Sequence, residues 1–190
     1  PFKEIYNTRH GIATLRNNIY IFNPVSEDEE YYYLQNGKTY KIEKDICKDI
    51  VNPNIIKNVN DLDLLKEKVL FPYSNENKPK ILNEEIMKDQ YPLAFKYLQN
   101  KKKLLGERDN GEGKYEEWYA FGRSQSLEKV KSKLFFPKIS NSNPSCTIKT
   151  DENLYYYNGQ AIIADSEDEL GLIKKIMESD LFWYYITKTS

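Results

Sequence analysis

Histidine and cysteine are nearly missing from this chain of 190 residues: His10 is the only histidine, and Cys47 and Cys146 are the only cysteines. The cysteines stand far apart with no CxxC spacing, so neither a zinc site nor a disulfide framework is supported, and a cytoplasmic origin is expected. One histidine also leaves no Ser/His/Asp set. No apolar run approaches the roughly 18 residues that a membrane span needs, and no signal peptide is visible, so a soluble protein with no membrane partner is expected. Glycine is scarce at 8 residues, and no phosphate-binding loop occurs. A nuclease pattern of two acids followed by an x-Lys pair is not convincingly placed. Glu116 and Glu117 are a carboxylate pair of the kind a hydrolase uses, but neighbours on a helix point apart, which suits acid-base work poorly. The chain opens at Pro1 without an initiator methionine and reads as an excised piece.

What is present is charge and aromatic surface in an uneven distribution. The formal net charge is −1, whereas an isolated DNA-binding module is commonly basic. Residues 1–90 carry 13 Lys+Arg against 15 Asp+Glu, residues 91–149 carry 12 against 6, and residues 150–190 carry 3 against 8, so a middle of +6 lies between flanks of −2 and −5. Within that middle, Tyr115–Ser140 gathers Tyr115, Trp118, Tyr119 and Phe121 around Arg123, then runs through Lys129, Lys131, Lys133 and Lys138. Rings beside cations suit a polyanion, because guanidinium groups pair with phosphates and base edges while flat rings stack. The bland alternative is a tryptophan and a phenylalanine in a core and lysines on a solvated strand edge. Lys101, Lys102 and Lys103 fall in the last turns of a helix, where cations are favoured whatever the function.

The coarse secondary structure follows from local signals. Asn18–Phe22, Tyr31–Gln35 and Lys38–Glu43 read as three strands of a meander, the last two joined at Asn36-Gly37, which favours a tight turn. A short helix is expected within Ile42–Val51 and a helical turn at Asp61–Lys68, with strands at Val69–Tyr73 and Lys80–Leu82. Asn83 is placed to cap a helix opening with Glu84 and Glu85. Pro92 starts a longer helix that Gly106 ends. Asp109–Gly113 reads as a mobile polar loop. Strands are expected at Lys133–Ile139, Cys146–Thr150 and Leu154–Tyr157, and Asn158-Gly159 signals a second hairpin, leading to Gln160–Ala164. Ser166 with Glu169 forms a capping box for a helix burying Leu170, Ile173, Ile176 and Met177. A final helix places Leu181, Phe182, Trp183 and Tyr184 as core. These elements define an α+β chain of small mixed or antiparallel sheets with hairpins, a long central helix and C-terminal helices. It forms one domain over 1–190, with possible lobes at 1–83 and 84–190.

Several of these stretches, in this order, resemble a known family. WYAFGRSQSL followed by KLFFPKIS is similar to a signature of the TaqI-like target-recognition (C-terminal specificity) domain of adenine-specific DNA methyltransferases, including the combined type II restriction-modification polypeptides. GIATLRNNIYIF (Gly11–Phe22) resembles the segment that opens that region after the catalytic domain. YPLAFKYLQNKKKLLGERD (Tyr91–Asp109) resembles its long helix, and Ala164–Ser190 its closing helices. Two departures stand out: many relatives carry glycine where this chain has Leu15, and relatives tend to continue into a Gly/Tyr/Ser-rich loop beyond the point where this chain stops.

The resemblance implies a small sheet in the first half and a role in reading double-stranded DNA. The catalytic methyltransferase domain of the same parent chain would then be a partner, and S-adenosylmethionine a cofactor of the parent enzyme only. Nothing in this chain matches a cofactor turn, and Asn23-Pro24, Asn52-Pro53 and Asn143-Pro144 each lack the second proline and aromatic of a base-holding loop. By itself the chain is expected to catalyse nothing. By position in the matched motifs Arg123 is the first candidate base reader, followed by the loop residues Lys138, Asn141 and Asn143. Arg108 and Lys133 are candidate phosphate contacts, and Arg9 and Arg16 lie beside the junction with the catalytic domain. The rival reading is a protein-protein interaction module of a larger bacterial enzyme that never touches DNA.

Overall fold

In the computed structural model, residues 7–56, 61–137 and 139–189 are described. In chain order they form β1 (Asn7–His10), α1 (Asn17–Tyr20), β2 (Ile21–Phe22), β3 (Ser26–Glu27), β4 (Tyr31–Asn36), β5 (Lys38–Glu43) and β6 (Cys47–Val51). Next come α2 (Asp61–Leu64), β7 (Glu67–Leu70), α3 (Glu84–Gln90) and α4 (Pro92–Gly106). The last part holds β8 (Ser132–Phe135), β9 (Thr147–Thr150), β10 (Leu154–Tyr156), β11 (Gln160–Ala164), α5 (Glu167–Met177) and α6 (Asp180–Thr189). The fold is α+β, with six α-helices and several small, mostly antiparallel sheets among the described residues. No helix among the described residues is long and apolar enough to cross a membrane. The chain divides into two compact units, one of residues 1–12, 51–66 and 129–190, the other of residues 13–50 and 67–128.

The first unit is a four-stranded antiparallel sheet in the order β1-β11-β8-β9. Alternation along its strands sends successive side chains to opposite faces. Leu134 and Ile162 join Leu170, Ile173 and Met177 of α5 on one face. Phe135 and Ala161 join Val51, Ile56, Leu62, Leu154 and Tyr156 on the other. Ser166 caps α5 by accepting from the Glu169 backbone N–H at 3.3 Å, as its spacing implies. Asn158 takes the left-handed φ of +56° that its turn signal implies, but the hairpin expected there does not form a two-strand ladder: β11 pairs with β1 and β8 instead. Two helical expectations also change. Ile176 is exposed, and no residue of α6 is fully buried: Leu181 and Tyr184 face outward, and Phe182 packs only in part against the α5 cluster.

The second unit pairs β3, β4 and β5 in one antiparallel sheet and β6, β7 and β2 in another ladder. Gly37, at φ +82°, turns β4 into β5. Asn17–Tyr20 is a helical turn rather than a strand, and β2 leaves the expected meander to pair with β7. The helix expected before Val51 is the strand β6, and Lys80–Leu82 contributes only an isolated bridge from Ile81 to Tyr73. Asn83 caps α3 by accepting from the Ile86 N–H at 2.9 Å. The open N-terminus of α4 is satisfied from a distance: both Glu43 carboxylate oxygens accept backbone N–H groups, of Leu93 at 2.8 Å and Ala94 at 2.9 Å. A carboxylate there meets orphan donors and the positive end of the helix together. Around α4 the core is aromatic, with Tyr20, Phe71, Tyr97, Tyr119 and Phe121 all buried.

Candidate nucleic-acid interface

The stretch Tyr115–Arg123 is built of bends and turns. Its rings turn inward: Tyr119 and Phe121 are buried, and Trp118 is half-buried with its Nε1–H donated to Glu84 at 2.8 Å. Tyr119 stands edge-on to Phe95 and Trp118, and Phe121 to Tyr20. The expected stacking platform is therefore mostly core, and the exposed cation of this stretch is Arg123.

Two backbone bonds fix the main chain at that arginine, from Gly122 N–H to Thr14 O and from Arg123 N–H to Ala13 O, each 3.1 Å. The receiving loop is tight. Buried Thr14 donates its hydroxyl to Asn17 at 2.6 Å and accepts the Arg16 N–H at 3.0 Å, while Leu15 adopts φ +58°. That left-handed geometry costs a residue with a Cβ about 1 kcal/mol, so the tight turn forms here without a glycine at residue 15. Gly122 leaves room for it: a Cβ on residue 122 would lie 2.2 Å from Leu15 Cγ.

Three consecutive residues, Glu107, Arg108 and Asp109, then take three different roles. Glu107 pairs with Arg16 at 3.4 Å. Arg108 is only 3% exposed and spends its guanidinium inside the unit. Its Nε donates to Leu105 O at 2.8 Å, Nη2 to Trp118 O at 2.8 Å and Nη1 to Ala120 O at 2.5 Å. It also lies 4.1 Å from the centre of the Tyr115 ring. Arg108, expected to grip phosphate, instead holds the 118–120 turn in place. Asp109 accepts a bidentate pair from Arg123, Nη1 to Oδ2 at 2.8 Å and Nη2 to Oδ1 at 2.9 Å, and the Tyr115 hydroxyl at 2.8 Å. These bonds, the Arg123 fork first, hold its carboxyl down at about 2. Asp109 is therefore anchored where a mobile loop was expected. Asp109, Asn110 and Gly111 all take positive φ, and they are residue types that accept it.

The other candidates belong to the first unit, except Arg16. Lys133, on the face shared with Phe135, is 2% exposed. Its Nζ donates to Val130 O and Asp151 O at 2.5 Å each. Burial pushes its pKa down to about 8, against the pull of Asp151 and Glu152. Lys133, also expected on phosphate, is thus an internal strut. Asn143 donates to Glu178 O at 3.2 Å and Asp180 Oδ1 at 2.7 Å, tying its loop to the junction of α5 and α6. Asn141 is exposed. Arg9 is half-buried, and its carbonyl accepts the Tyr156 hydroxyl at 2.8 Å. Lys138 lies outside the described residues. In the second unit, Lys101 donates to Asn36, and Lys102 lies 4.7 Å from the Trp118 ring centre. Sequence reasoning missed Asp109. Its signal was an acid in a loop of residues that tolerate left-handed backbone.

No protein-family model matches the chain. The chain is 28% identical, over 154 residues, to the type II restriction enzyme and methyltransferase RM.Eco57I of Escherichia coli; the match covers 71% of this chain and 15% of that enzyme. This similarity supports a relationship to restriction-modification systems. The chain spans a small part of that relative's length.

Proposed function

We propose that this chain is the DNA target-recognition part of a site-specific adenine DNA methyltransferase, or of a combined restriction-modification enzyme. The catalytic domain of the parent chain extrudes the adenine and transfers the methyl group, while this part lies on the duplex and reads neighbouring base pairs. S-adenosylmethionine belongs to that catalytic domain. Two of the asparagines in this chain's Asn-Pro pairs do not fit a base-holding loop: the Asn52 side chain accepts the Asn54 N–H, and Asn143 is tied to Glu178 and Asp180.

The observation that carries the reading is Arg123. Its main chain is fixed by the 13–14 loop, yet its side chain is 52% exposed. A fixed, solvent-facing guanidinium is suited to a guanine edge or a phosphate. The length of the match to RM.Eco57I supports the setting. Arg16, of the same unit, is a secondary contact, and Arg108 and Lys133 are not counted as contacts.

One observation favours a second reading, a protein-interaction module. Leu172, Ile176, Leu181, Tyr184 and Tyr185 of α5 and α6 are exposed in the acidic last stretch of the chain. Titration of the full parent chain against matched and scrambled duplexes at rising ionic strength separates the two. DNA recognition gives tighter binding to the matched duplex and an affinity that falls steeply with salt. Binding that is absent, or insensitive to both sequence and salt, leaves the interaction module.

A further inference from the structure

A guanidinium carries five N–H donors, and the geometry accounts for three of those on Arg123. Nη1 gives one to Asp109 Oδ2 and one to Gly122 O at 2.7 Å, and Nη2 gives one to Asp109 Oδ1. The two that remain, on Nε and Nη2, lie on the same edge of the planar group, and among the described residues neither meets an acceptor. That edge has the spacing of a bidentate fork, the arrangement that matches N7 and O6 of a guanine. The opposite, end-on fork is closed by a carboxylate that Tyr115 holds in turn, and Tyr115 packs against the buried Arg108.

We propose that Asp109 is a positioning residue for base reading: by clamping the end-on fork of Arg123 it presents the Nε–Nη2 edge to a guanine. This rests on the DNA-recognition reading above. A preorganised fork loses less side-chain freedom on binding than a free one, and its direction selects one base edge. Asp109 itself touches no DNA. Tyr115 supports the clamp from behind, so its hydroxyl contributes in the same direction and to a smaller degree.

The test selects duplexes from a randomised 30-bp pool with the full parent chain and compares wild type, Asp109→Asn, Arg123→Ala, the double variant, Asp109→Glu and Tyr115→Phe. Wild type is expected to enrich guanine at one position that Arg123→Ala no longer selects. Asp109→Asn should cut that enrichment about fivefold, because the amide offers one acceptor where the carboxylate offers two. The double variant should match Arg123→Ala alone. Asp109→Glu should retain part of the preference, and Tyr115→Phe should weaken it less than Asp109→Asn. In nitrogen-detected spectra the Arg123 Nη signals should be resolved in wild type and averaged by rotation in Asp109→Asn, a change that general destabilisation does not produce.

The outcomes that overturn the proposal are distinct. If Arg123→Ala leaves every base preference intact, Arg123 is not a reader, and the DNA reading loses its carrying residue. If Arg123→Ala removes the guanine preference but Asp109→Asn and Tyr115→Phe leave it unchanged, Arg123 reads the base unaided and Asp109 has no positioning role. If Asp109→Asn tightens binding to the pool, the carboxylate competes with DNA. If it weakens all sequences equally, Arg123 meets a phosphate. Should Asp109→Asn fail to fold by circular dichroism, Tyr115→Phe and Asp109→Glu decide the matter by the same readouts.

Discussion

Two cation-bearing regions of this molecule show how little the charge of a residue says about its availability. In the region from Glu107 to Arg123, a buried arginine satisfies backbone carbonyls, and an exposed one is aimed by a carboxylate that uses only part of its donors. In the region from Val130 to Asp151, Lys133 sits on an inward face of β8 and its two hydrogen-bond acceptors are backbone oxygens. A buried cation is held at the expense of its hydration and must find internal acceptors; an exposed one keeps its charge for a partner. The basic middle of the sequence thus supplies both internal struts and solvent-facing cations, and under the proposed function only the second kind is open to DNA.

Replacing Arg108 should have the largest effect. Arg108→Met strands the carbonyls of Leu105, Trp118 and Ala120, and should lower stability by about 4 kcal/mol in urea unfolding, with loosened packing of the 115–123 turn. A loss below about 1 kcal/mol would place Arg108 with the exposed cations and dissolve the contrast. Gly122→Ala comes next, at about 2 kcal/mol, since the added methyl runs into Leu15. Because Leu15 holds a left-handed backbone, the paired change Leu15→Gly with Gly122→Ala should recover most of that loss. Failure to recover it would show that the crowding comes from elsewhere.

Lys133 sharpens the comparison through pH. Its folded pKa, about 8, lies below the ordinary 10.5, so the unfolded chain binds the proton more strongly between those values. Stability should therefore rise as pH climbs from 8 towards 10.5, and fall as pH drops back through 8. Wild type should gain about 2 kcal/mol on Lys133→Met between about pH 7 and 9.5, a window below the range in which the buried tyrosines ionise. Parallel pH profiles for the two proteins would mean that Lys133 is as hydrated as a surface lysine.

Local chemistry was legible in the sequence where a residue acts on its own neighbourhood. Ser166 and Asn83 cap the helices they precede, Gly37 turns the hairpin, and Pro92 and Gly106 bound α4. Pairings that depend on distant segments were not. Nothing near Ile21 says that β2 pairs with β7, and nothing near Asn158 says that β11 pairs with β1 rather than closing on β10. The candidate site divides in the same way. Arg108 stands in a polar Glu/Arg/Asp/Asn/Gly loop and Arg123 directly after a run of aromatic rings, yet the carbonyls of Leu105, Trp118 and Ala120 make Arg108 the internal one. Lys133 alternates with Leu134, so its face was readable; what covers that face comes from residues 51–62, far back in the chain. The role of Asp109 needed the pairing of Ala13 and Thr14 with residues 122 and 123, which no local signal carries.

For the proposed function the most direct measurement is the map of methylated adenines left by the full parent chain, read across a genome for wild type and for Arg123→Ala. Arg123→Ala should fold as wild type does, because the side chain is exposed, and should methylate a site relaxed at one guanine, reflecting about 1 to 3 kcal/mol of lost discrimination. An unchanged recognition sequence in the fully active variant would contradict the account.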